Sequence, residues 1–182
     1  MPTLHHNISG ELTQKLLVAG DNVVVNSISL TNVHASTTCT VDLYIESKLK
    51  PETLTGKNEL TAGQFYLAKS LPLAVGASSI LKDVSFGNKS GQFGLFIKLG
   101  KSDVFTLTGT IDPAASTTVP GVNTLFLTEI AVGDEIIVSG ETRTVSAIAT
   151  NTSLTVSAAF SNNSNDTTPD CSPKPNVDVI IS

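Results

Sequence analysis

The chain has 182 residues, of which 15% are charged, and it carries a net charge of −5 with one arginine, Arg143. That balance argues against nucleic acid as a partner, because recognition of phosphate backbones needs clustered lysine and arginine. There is also no apolar run long enough to span a bilayer. The start of the chain lacks a charged-then-apolar secretory pattern, so we expect the protein to fold in a cytoplasm.

Threonine, serine, valine and alanine are plentiful and tryptophan is absent. Because β-branched and small polar residues favour strands and turns, the composition predicts an all-β protein. The length suffices for one β-sandwich and a small second module. In chain order, residues 1–12 show little periodicity and are interpreted as an arm or a loosely held extension. The short apolar stretch 14–18 then leads into a turn signal at 19–22.

The stretch 22–46 is the organising element of the predicted fold. Its second half alternates cleanly, which is typical of a strand with one face on a core and one in water. Its first half alternates less regularly, because Asn26 interrupts the apolar row. We interpret the two as long strands of a hairpin at the centre of a β-sandwich, joined by the polar linker 32–37. The apolar faces consist of Val24, Ile28 and Leu30, and of Cys39, Val41, Leu43 and Ile45.

Several shorter strands follow. The charged segment 48–63, broken by proline and glycine, predicts a long surface loop. The segment 71–75 contains Pro72 and predicts an edge strand, because proline cannot donate to a strand ladder. Residues 87–91 predict a loop. The remaining strands are predicted at 64–68, at 79–84 and at 93–99, the last with Phe93, Leu95, Ile97 and Leu99 on one face.

The C-terminal segment 176–182 reads NVDVIIS and predicts a strand that is too short to stand alone. Its natural partner is the strand that ends at Leu99-Gly100. Joining the two would complete a hairpin, so roughly 103–175 is predicted to be an insertion, which loop tips tolerate. The fold prediction is an antiparallel β-sandwich, of jelly-roll or immunoglobulin-like type, formed by 1–102 and 176–182, with a small β-barrel inserted before the last strand.

The insertion has a pattern of its own. About five short strands in a meander, over 103–160, are typical of a small barrel. Strand candidates include 122–128 and 135–139, and Gly140-Glu141 fits a two-residue hairpin turn with glycine first. The polar, proline-rich segment 161–175 is interpreted as a linker back to the sandwich.

No stretch of the sequence specifies a reaction. His5 and His6 form a pair without an acidic residue or cysteine at a ligand spacing, and His34 is expected to be exposed in the hairpin loop. No catalytic residue, metal site or cofactor is predicted. The acidic and asparagine residues of 162–170 lack the glycine and terminal glutamate of an EF-hand loop, so a solvated segment is preferred over weak calcium binding. The possible oxygen ligands in this segment are Asn163, Asn165, Asp166 and Asp170.

The cysteines and aromatic residues favour structural roles. Cys39 and Cys171 are far apart in sequence, and a buried free thiol is preferred for Cys39 over a disulfide. The phenylalanines and Tyr66 are expected to lie mostly in the core. A sugar site is not supported, because only Tyr44 and Tyr66 accompany them and there is no tryptophan.

The segments DNVVVNSISLTNVHASTTCTVDLYIE, FYLAKSLPLAVGASSIL, GLFIKLG and NVDVIIS resemble a β-sandwich of virion structural proteins of tailed bacteriophages, of cyanophage or marine type. The inserted segment VGDEIIVSGETRTV with TSLTV resembles small barrel modules of phage tail and fibre-associated proteins. The resemblance implies a virion component without enzymatic activity. It carries over no catalytic residue.

From this resemblance we expect a protein that assembles on the particle as a capsid decoration or cement protein, or as a neck or tail component. Its partners would be coat, neck or tail proteins and copies of itself, with the terminal strand and the arm 1–12 exchanged between chains. The alternative is a host-binding module whose inserted barrel, at 133–157, attaches to a cell-surface glycan. An enzyme such as a virion hydrolase is the least favoured reading, with Asp134, Glu135, Asp166 and His34 as the residues to test.

Overall fold

The computed structural model describes residues 3–47, 63–87, 93–113 and 115–182. The predicted loops at 48–63 and 87–91 fall almost entirely outside these residues. The described chain is nearly all β, with one short helix. Its elements are β1 (Leu4–Ser9), β2 (Gln14–Leu17), β3 (Val24–Asn32), β4 (Cys39–Ser47), β5 (Gln64–Leu73), β6 (Ser78–Gly87), β7 (Phe93–Gly100), β8 (Phe105–Thr106), β9 (Thr110–Ile111), β10 (Thr118–Val122), α1 (Phe126–Glu129), β11 (Glu135–Val138), β12 (Glu141–Thr150), β13 (Ser153–Val156), β14 (Asp170–Ser172) and β15 (Asn176–Ile181).

The chain divides into two compact units. The sandwich unit comprises the described parts of Met1–Val33, Cys39–Gly100 and Pro175–Ser182. The inserted unit comprises the described parts of His34–Thr38 and Lys101–Lys174. The insertion thus lies between β7 and β15, and the loop between β3 and β4 belongs to it as well.

The sandwich unit consists of two four-stranded antiparallel sheets, with strand orders β1-β15-β3-β6 and β2-β7-β4-β5. The order follows from a simple construction. Folding the eight strands into one long hairpin pairs the first with the eighth, the second with the seventh, the third with the sixth, and the fourth with the fifth. All four of these pairs are hydrogen-bonded here. Wound into two sheets, such a ribbon is a jelly roll, one of the two sandwich types expected.

One hydrophobic core lies between the two sheets, because inward side chains of both belong to a single buried cluster. The alternation predicted for β4 is confirmed, with Cys39, Val41 and Leu43 buried. In β3 the core residue is Val25, whereas Val24 is 51% exposed. The cause is an irregularity in the β3–β6 register between Val25 and Ser27, which moves the apolar row by one residue at the interruption around Asn26.

The predicted central hairpin is wrong. β3 pairs with β15 and β6, while β4 pairs with β5 and β7, so the two strands lie in opposite sheets. The hairpin expected between the strand ending at Gly100 and the C-terminal strand is wrong for the same reason, since β7 pairs with β2 and β4. A strand that alternates has the same pattern whether its chain neighbour lies beside it or across the core.

The segment 1–12, predicted as an arm, contains β1, which pairs with β15 over six residues. Leu4, His6 and Ile8 share its inward face, and the histidine in that row weakens the apolar alternation that would have revealed the strand. The edge strand predicted around Pro72 is confirmed, since β5 lies at the edge of its sheet. It is continuous with the strand predicted at 64–68.

The inserted unit contains one sheet of seven strands in the order β8-β14-β11-β12-β13-β10-β9, packed on its own buried cluster. Among the described residues no strand pairing joins β8 to β9, so the predicted barrel closure is not observed. The strand predicted at 122–128 is also wrong. Asn123 has a φ of 57°, and the chain then forms α1, which buries Phe126 and leaves Leu125 and Leu127 exposed.

Two further details differ from the prediction. The turn between β11 and β12 consists of Ser139 and Gly140, with φ of 50° and 81°, as a hairpin turn with both central residues left-handed requires. The expected linker 161–175 belongs to the inserted unit, where β14 pairs with both β8 and β11. Within this segment Cys171 and the prolines Pro169, Pro173 and Pro175 are buried. The polar composition of the segment gave no sign of this burial.

Candidate functional site

Three aromatic side chains form a row on the outward face of the sheet β2-β7-β4-β5. Phe96 on β7 is the register partner of Tyr44 on β4, and Tyr44 is the partner of Tyr66 on β5. The ring centroids of Tyr44 and Phe96 are 5.6 Å apart with planes 11° apart, and those of Tyr44 and Tyr66 are 5.4 Å apart with planes 49° apart. These separations lie within the range in which aromatic pairs attract one another. We call these three side chains the aromatic row.

A lysine lies at each end of the aromatic row. The Nζ atom of Lys15 is 5.4 Å from the ring centroid of Phe96, and that of Lys69 is 4.5 Å from the ring centroid of Tyr66. Both distances fall within the reach of a cation–π interaction. The row therefore places ammonium groups and aromatic rings side by side on one solvent-facing surface.

An irregularity in β5 holds the second of these lysines in place. The register of β4 and β5 shifts between Val41 and Leu43, and Ser70 has a φ of 49°. The Asp42 carboxylate fills this bulge, accepting hydrogen bonds from Lys69 Nζ at 2.6 Å and from the Ser70 N–H at 2.7 Å. Desolvation by burial would raise the pKa of Asp42, but these two bonds, together with the charges of Lys69 and Lys98, lower the pKa overall. The bond to Asp42 in turn raises the pKa of Lys69.

Exposure differs along the row. Tyr66 is 43% exposed and Phe96 is half-buried, whereas Tyr44 between them is only 5% exposed. The Tyr66 hydroxyl donates to the Gln64 side chain at 3.2 Å. Such a surface can bind a partner through ring faces, ammonium groups and hydrogen bonds.

A second cluster of chemistry-bearing side chains lies inside the inserted unit. His34 Nε2 is 2.9 Å from Asp134 Oδ1, and Cys171 Sγ is 3.9 Å from Asp134 Oδ2. All three residues are buried, so the expectation that His34 is exposed is wrong. We call these three residues the buried polar cluster.

The hydrogen bonds of His34 assign its tautomer. Its Nδ1 atom accepts from the backbone N–H groups of Ser36 at 3.2 Å and Thr37 at 3.1 Å, so it carries no proton. The ring proton is then on Nε2 and is donated to Asp134. The carboxylate also accepts from the backbone N–H of Ala131 at 2.9 Å and of Lys174 at 2.8 Å.

These contacts favour a structural role for the buried polar cluster. Both oxygens of Asp134 accept from backbone N–H groups, and both ring nitrogens of His34 are occupied. Burial, with a contribution from the neighbouring Asp134, raises the pKa of Cys171 to about 12, and burial raises that of Cys39 to about 11. Since the thiolate is the reactive form, neither cysteine is suited to be a nucleophile. Both thiols are free, as expected for Cys39.

The other candidate residues are scattered. Glu135 is exposed. Asp166 accepts from the backbone N–H of Thr168 within a local turn and from that of Ser139, 27 residues away in the β11–β12 turn. Asp170 accepts from the Thr106 hydroxyl at 2.8 Å. Within 3–47, 63–87, 93–113 and 115–182, no three or more histidine, cysteine or acidic side chains are grouped so that they could hold a metal ion.

His5 and His6 are consecutive residues of β1, and their side chains lie on opposite faces of the strand. A cavity of about 210 Å³ lies along β1 and β15, with His5, His6, Asn7, Asp178, Val179 and Ile180 in its lining. The Nε2 atom of His6 is buried without a hydrogen-bond partner.

The aromatic row is the feature that sequence reasoning missed. Tyr44 and Phe96 occupy polar-face positions of alternating strands, and Tyr66 follows at the start of the next strand. Aromatic residues at outward positions were the available signal. Their alignment depends on the register between strands, which composition and periodicity do not reveal. In the inserted unit, by contrast, Phe126 and Phe160 are buried and Phe105 is half-buried.

Comparison with known proteins provides no further assignment. No protein-family model matches the chain, and neither curated proteins nor solved structures gave a match.

Helix α1 has four residues, and the described part of the chain contains no helix with the length and apolarity needed to cross a membrane.

Proposed function

We propose that this chain is a non-enzymatic structural protein of a tailed-bacteriophage particle, assembled as a capsid decoration or cement protein or as a neck or tail component. The observation that carries the proposal is the jelly-roll strand order of the sandwich unit. This architecture recurs in viral capsid domains. The argument is one of fold analogy, supported by the resemblance of the strand motifs to phage virion proteins.

The edges of the two sheets indicate where assembly contacts would form. An edge strand has unpaired backbone groups that can pair with a strand of another chain, and proteins usually protect edges with bulges, lysine or proline. β5 has a bulge and Pro72, β2 has Lys15 and an irregular register, and β6 has Lys82 and the left-handed Asp83. Among the described sandwich strands, these three edges are therefore protected.

β1 is different from the other three edges. It pairs with β15 in regular register over Leu4–Ser9, and it contains neither proline nor lysine. No described residue pairs with its other side. We therefore expect β1 to accept a strand from a neighbouring chain in the particle. β15 lies between β1 and β3, which argues against the exchange of the terminal strand expected from sequence.

Cryo-electron microscopy of the particle that carries this chain tests the proposal. We expect density for the sandwich unit either on the shell lattice, with a copy number set by capsid symmetry, or in a ring or spike on the tail axis. The first result would identify a decoration or cement protein, and the second a neck or tail component. Absence of the chain from purified particles, checked by mass spectrometry, would refute a virion role.

A proline pair tests the edge contact. N–H groups of an antiparallel edge strand alternate between the paired and the open side, so His5→Pro and His6→Pro remove one of each kind. We expect one variant to be destabilised and the other to fold but to be lost from particles. His5→Ala and His6→Ala separate loss of the side chain from loss of the N–H. Normal incorporation of the folded proline variant would exclude strand pairing at β1.

A further inference from the structure

We propose that the outward face of the sheet β2-β7-β4-β5 binds an anionic saccharide, such as a polymer of acidic pyranoses, with sugar rings against Tyr66 and Phe96 and sugar carboxylates against lysine side chains. This inference is independent of the virion role. It places saccharide binding on the sandwich unit, whereas the glycan-binding alternative considered from sequence used residues 133–157 of the inserted unit. That segment contains no aromatic residue.

The aromatic row has the mixed character that a pyranose requires. The C–H face of a sugar ring is apolar and packs on aromatic rings, while its rim of hydroxyl groups needs hydrogen-bond partners. Tyr66 has 43% of its surface exposed and stands beside the Gln64 amide, and Phe96 is half-buried. Lys15 has a flexible four-carbon stem, so it can move aside from Phe96 while remaining near the bound sugar. Lys69 stays beside Tyr66 through its bond to Asp42.

The row is also held rigidly before any ligand binds. Its three rings come from three neighbouring strands rather than from loops. Tyr44 is 5% exposed and packs between the other two rings, so it fixes their spacing. Side chains that are positioned by strands and by one another lose little conformational freedom on binding.

Charge selects the kind of saccharide. Three of the six lysines in the described residues lie on this face: Lys15, Lys69 and Lys98. Among the described residues of β2, β7, β4 and β5, the acidic ones on this face are Asp42 and Glu46, and Asp42 is engaged by Lys69 and the Ser70 N–H. A local excess of positive charge on a chain of net charge −5 favours an anionic ligand.

The same observations disfavour single-stranded nucleic acid, the other ligand that combines rings with negative charge. Binding of phosphate backbones depends on many lysine and arginine contacts along a groove. This face has no arginine among its described residues, and Asp42 lies between Lys69 and Lys98. A saccharide with carboxylates on separate pyranose units fits this spacing better.

Tyrosine fluorescence gives a direct test, because both tyrosines of the chain, Tyr44 and Tyr66, belong to the aromatic row and the chain has no tryptophan. The full chain would be titrated with polygalacturonate, alginate, hyaluronate and polysialic acid, with neutral dextran and oligo(dT) as comparisons. We expect a saturable change with at least one anionic polysaccharide, weakened by salt. Affinity electrophoresis in gels containing the same polymers provides an independent measurement.

Variants assign the binding to this face. We expect Tyr66→Leu to weaken binding by at least about fivefold, as for loss of one stacked ring, while Tyr66→Phe keeps the ring and most of the affinity. Lys15→Gln and Lys98→Gln should each weaken binding by roughly twofold to fivefold and reduce its salt dependence. Lys82→Gln, on β6 of the other sheet, is the matched control and should leave binding unchanged.

Four outcomes would overturn the proposal. They are no saturable response to any of the four anionic polymers, an equal response to dextran, stronger binding of oligo(dT), or equal losses in Lys82→Gln and Lys98→Gln. None of these results bears on whether the chain is present in the particle, so the two proposals fail separately.

Discussion

Nε2 of His34 donates a hydrogen bond to Oδ1 of Asp134 at 2.9 Å, joining residues that are 100 positions apart in the chain. The side chains are 2% and 1% exposed. With the backbone N–H groups of Ala131 and Lys174, this contact gives the carboxylate three strong donors. It ties the short segment His34–Thr38 to the rest of the inserted unit.

Replacement of Asp134 by asparagine should therefore destabilise the inserted unit although the side chain keeps its shape. Each carboxylate oxygen accepts from a backbone N–H, so either orientation of the amide would turn its NH₂ group towards a donor. We expect a loss of about 1–3 kcal/mol in the free energy of unfolding. Urea denaturation of Asp134→Asn would measure it, with Glu135→Gln at an exposed position as the control. Equal stability of the two variants would contradict this account.

Glu141 should make stability depend on pH under acid conditions. The backbone N–H of Ser161, that of Asn162 and the Ser161 hydroxyl, together with Arg143, lower the pKa of Glu141 to about 2. Because this value lies below that of the unfolded chain, the stabilisation is complete above about pH 4.5 and is lost as the pH falls towards about 2. We expect the stability advantage of the wild type over Glu141→Gln to shrink across this window in urea titrations. A constant difference would be inconsistent with these hydrogen bonds.

Thiol reactivity should report the opening of each unit. Since burial raises the pKa of Cys39 to about 11 and that of Cys171 to about 12, neither should react with Ellman's reagent at about pH 8 in the native protein. Cys39 belongs to the sandwich unit and Cys171 to the inserted unit. In Cys39→Ala and Cys171→Ala, the remaining thiol should become reactive at the urea concentration that unfolds its own unit. Fast labelling of the native wild type would show that the burial described here is wrong.

Two glycines with similar backbone angles should respond differently to alanine. Gly109 and Gly140 have φ of 85° and 81°. A Cβ atom at Gly109 would overlap the carbonyl oxygen of Val122, whereas nothing lies within 4 Å of one at Gly140. We expect Gly140→Ala to cost about 1 kcal/mol, from backbone strain alone, and Gly109→Ala roughly 3 kcal/mol or more. Thermal unfolding would compare them, and equal losses would contradict the predicted overlap at Gly109.

Local patterns predicted much of the strand content. The alternation of β4 and β7 was read correctly because each strand has one face in the core and the other in solvent. In β3 the assignment of Ile28 and Leu30 to the core was correct, and only Val24 was misplaced, because the bulge between Val25 and Ser27 puts Val25 in the core instead. The apolar residues of 122–128 suggested a strand. Only Phe126 of α1 is buried, however, and a single helical turn is enough to place one ring in the core.

Long-range contacts account for what was missed. A histidine in a polar loop predicts exposure, and only the folded chain brings Asp134 and two backbone N–H groups to His34. The aromatic row likewise depends on register across three strands, which the pattern of each strand alone does not contain. The buried polar cluster and the aromatic row are both products of topology.

The position of β15 has a consequence for the order of folding during synthesis. β15 separates β1 from β3, and among the described strands β1 has no other partner. The ribosome must first translate the insertion, Lys101–Lys174, which at ~5–20 residues per second takes roughly 4–15 s. During that interval β1 cannot dock, so its apolar face is exposed and one edge of β3 is unpaired. The sheet β1-β15-β3-β6 therefore closes after translation of the inserted unit, and a stall before Asn176 would leave this surface open to chaperones or to aggregation.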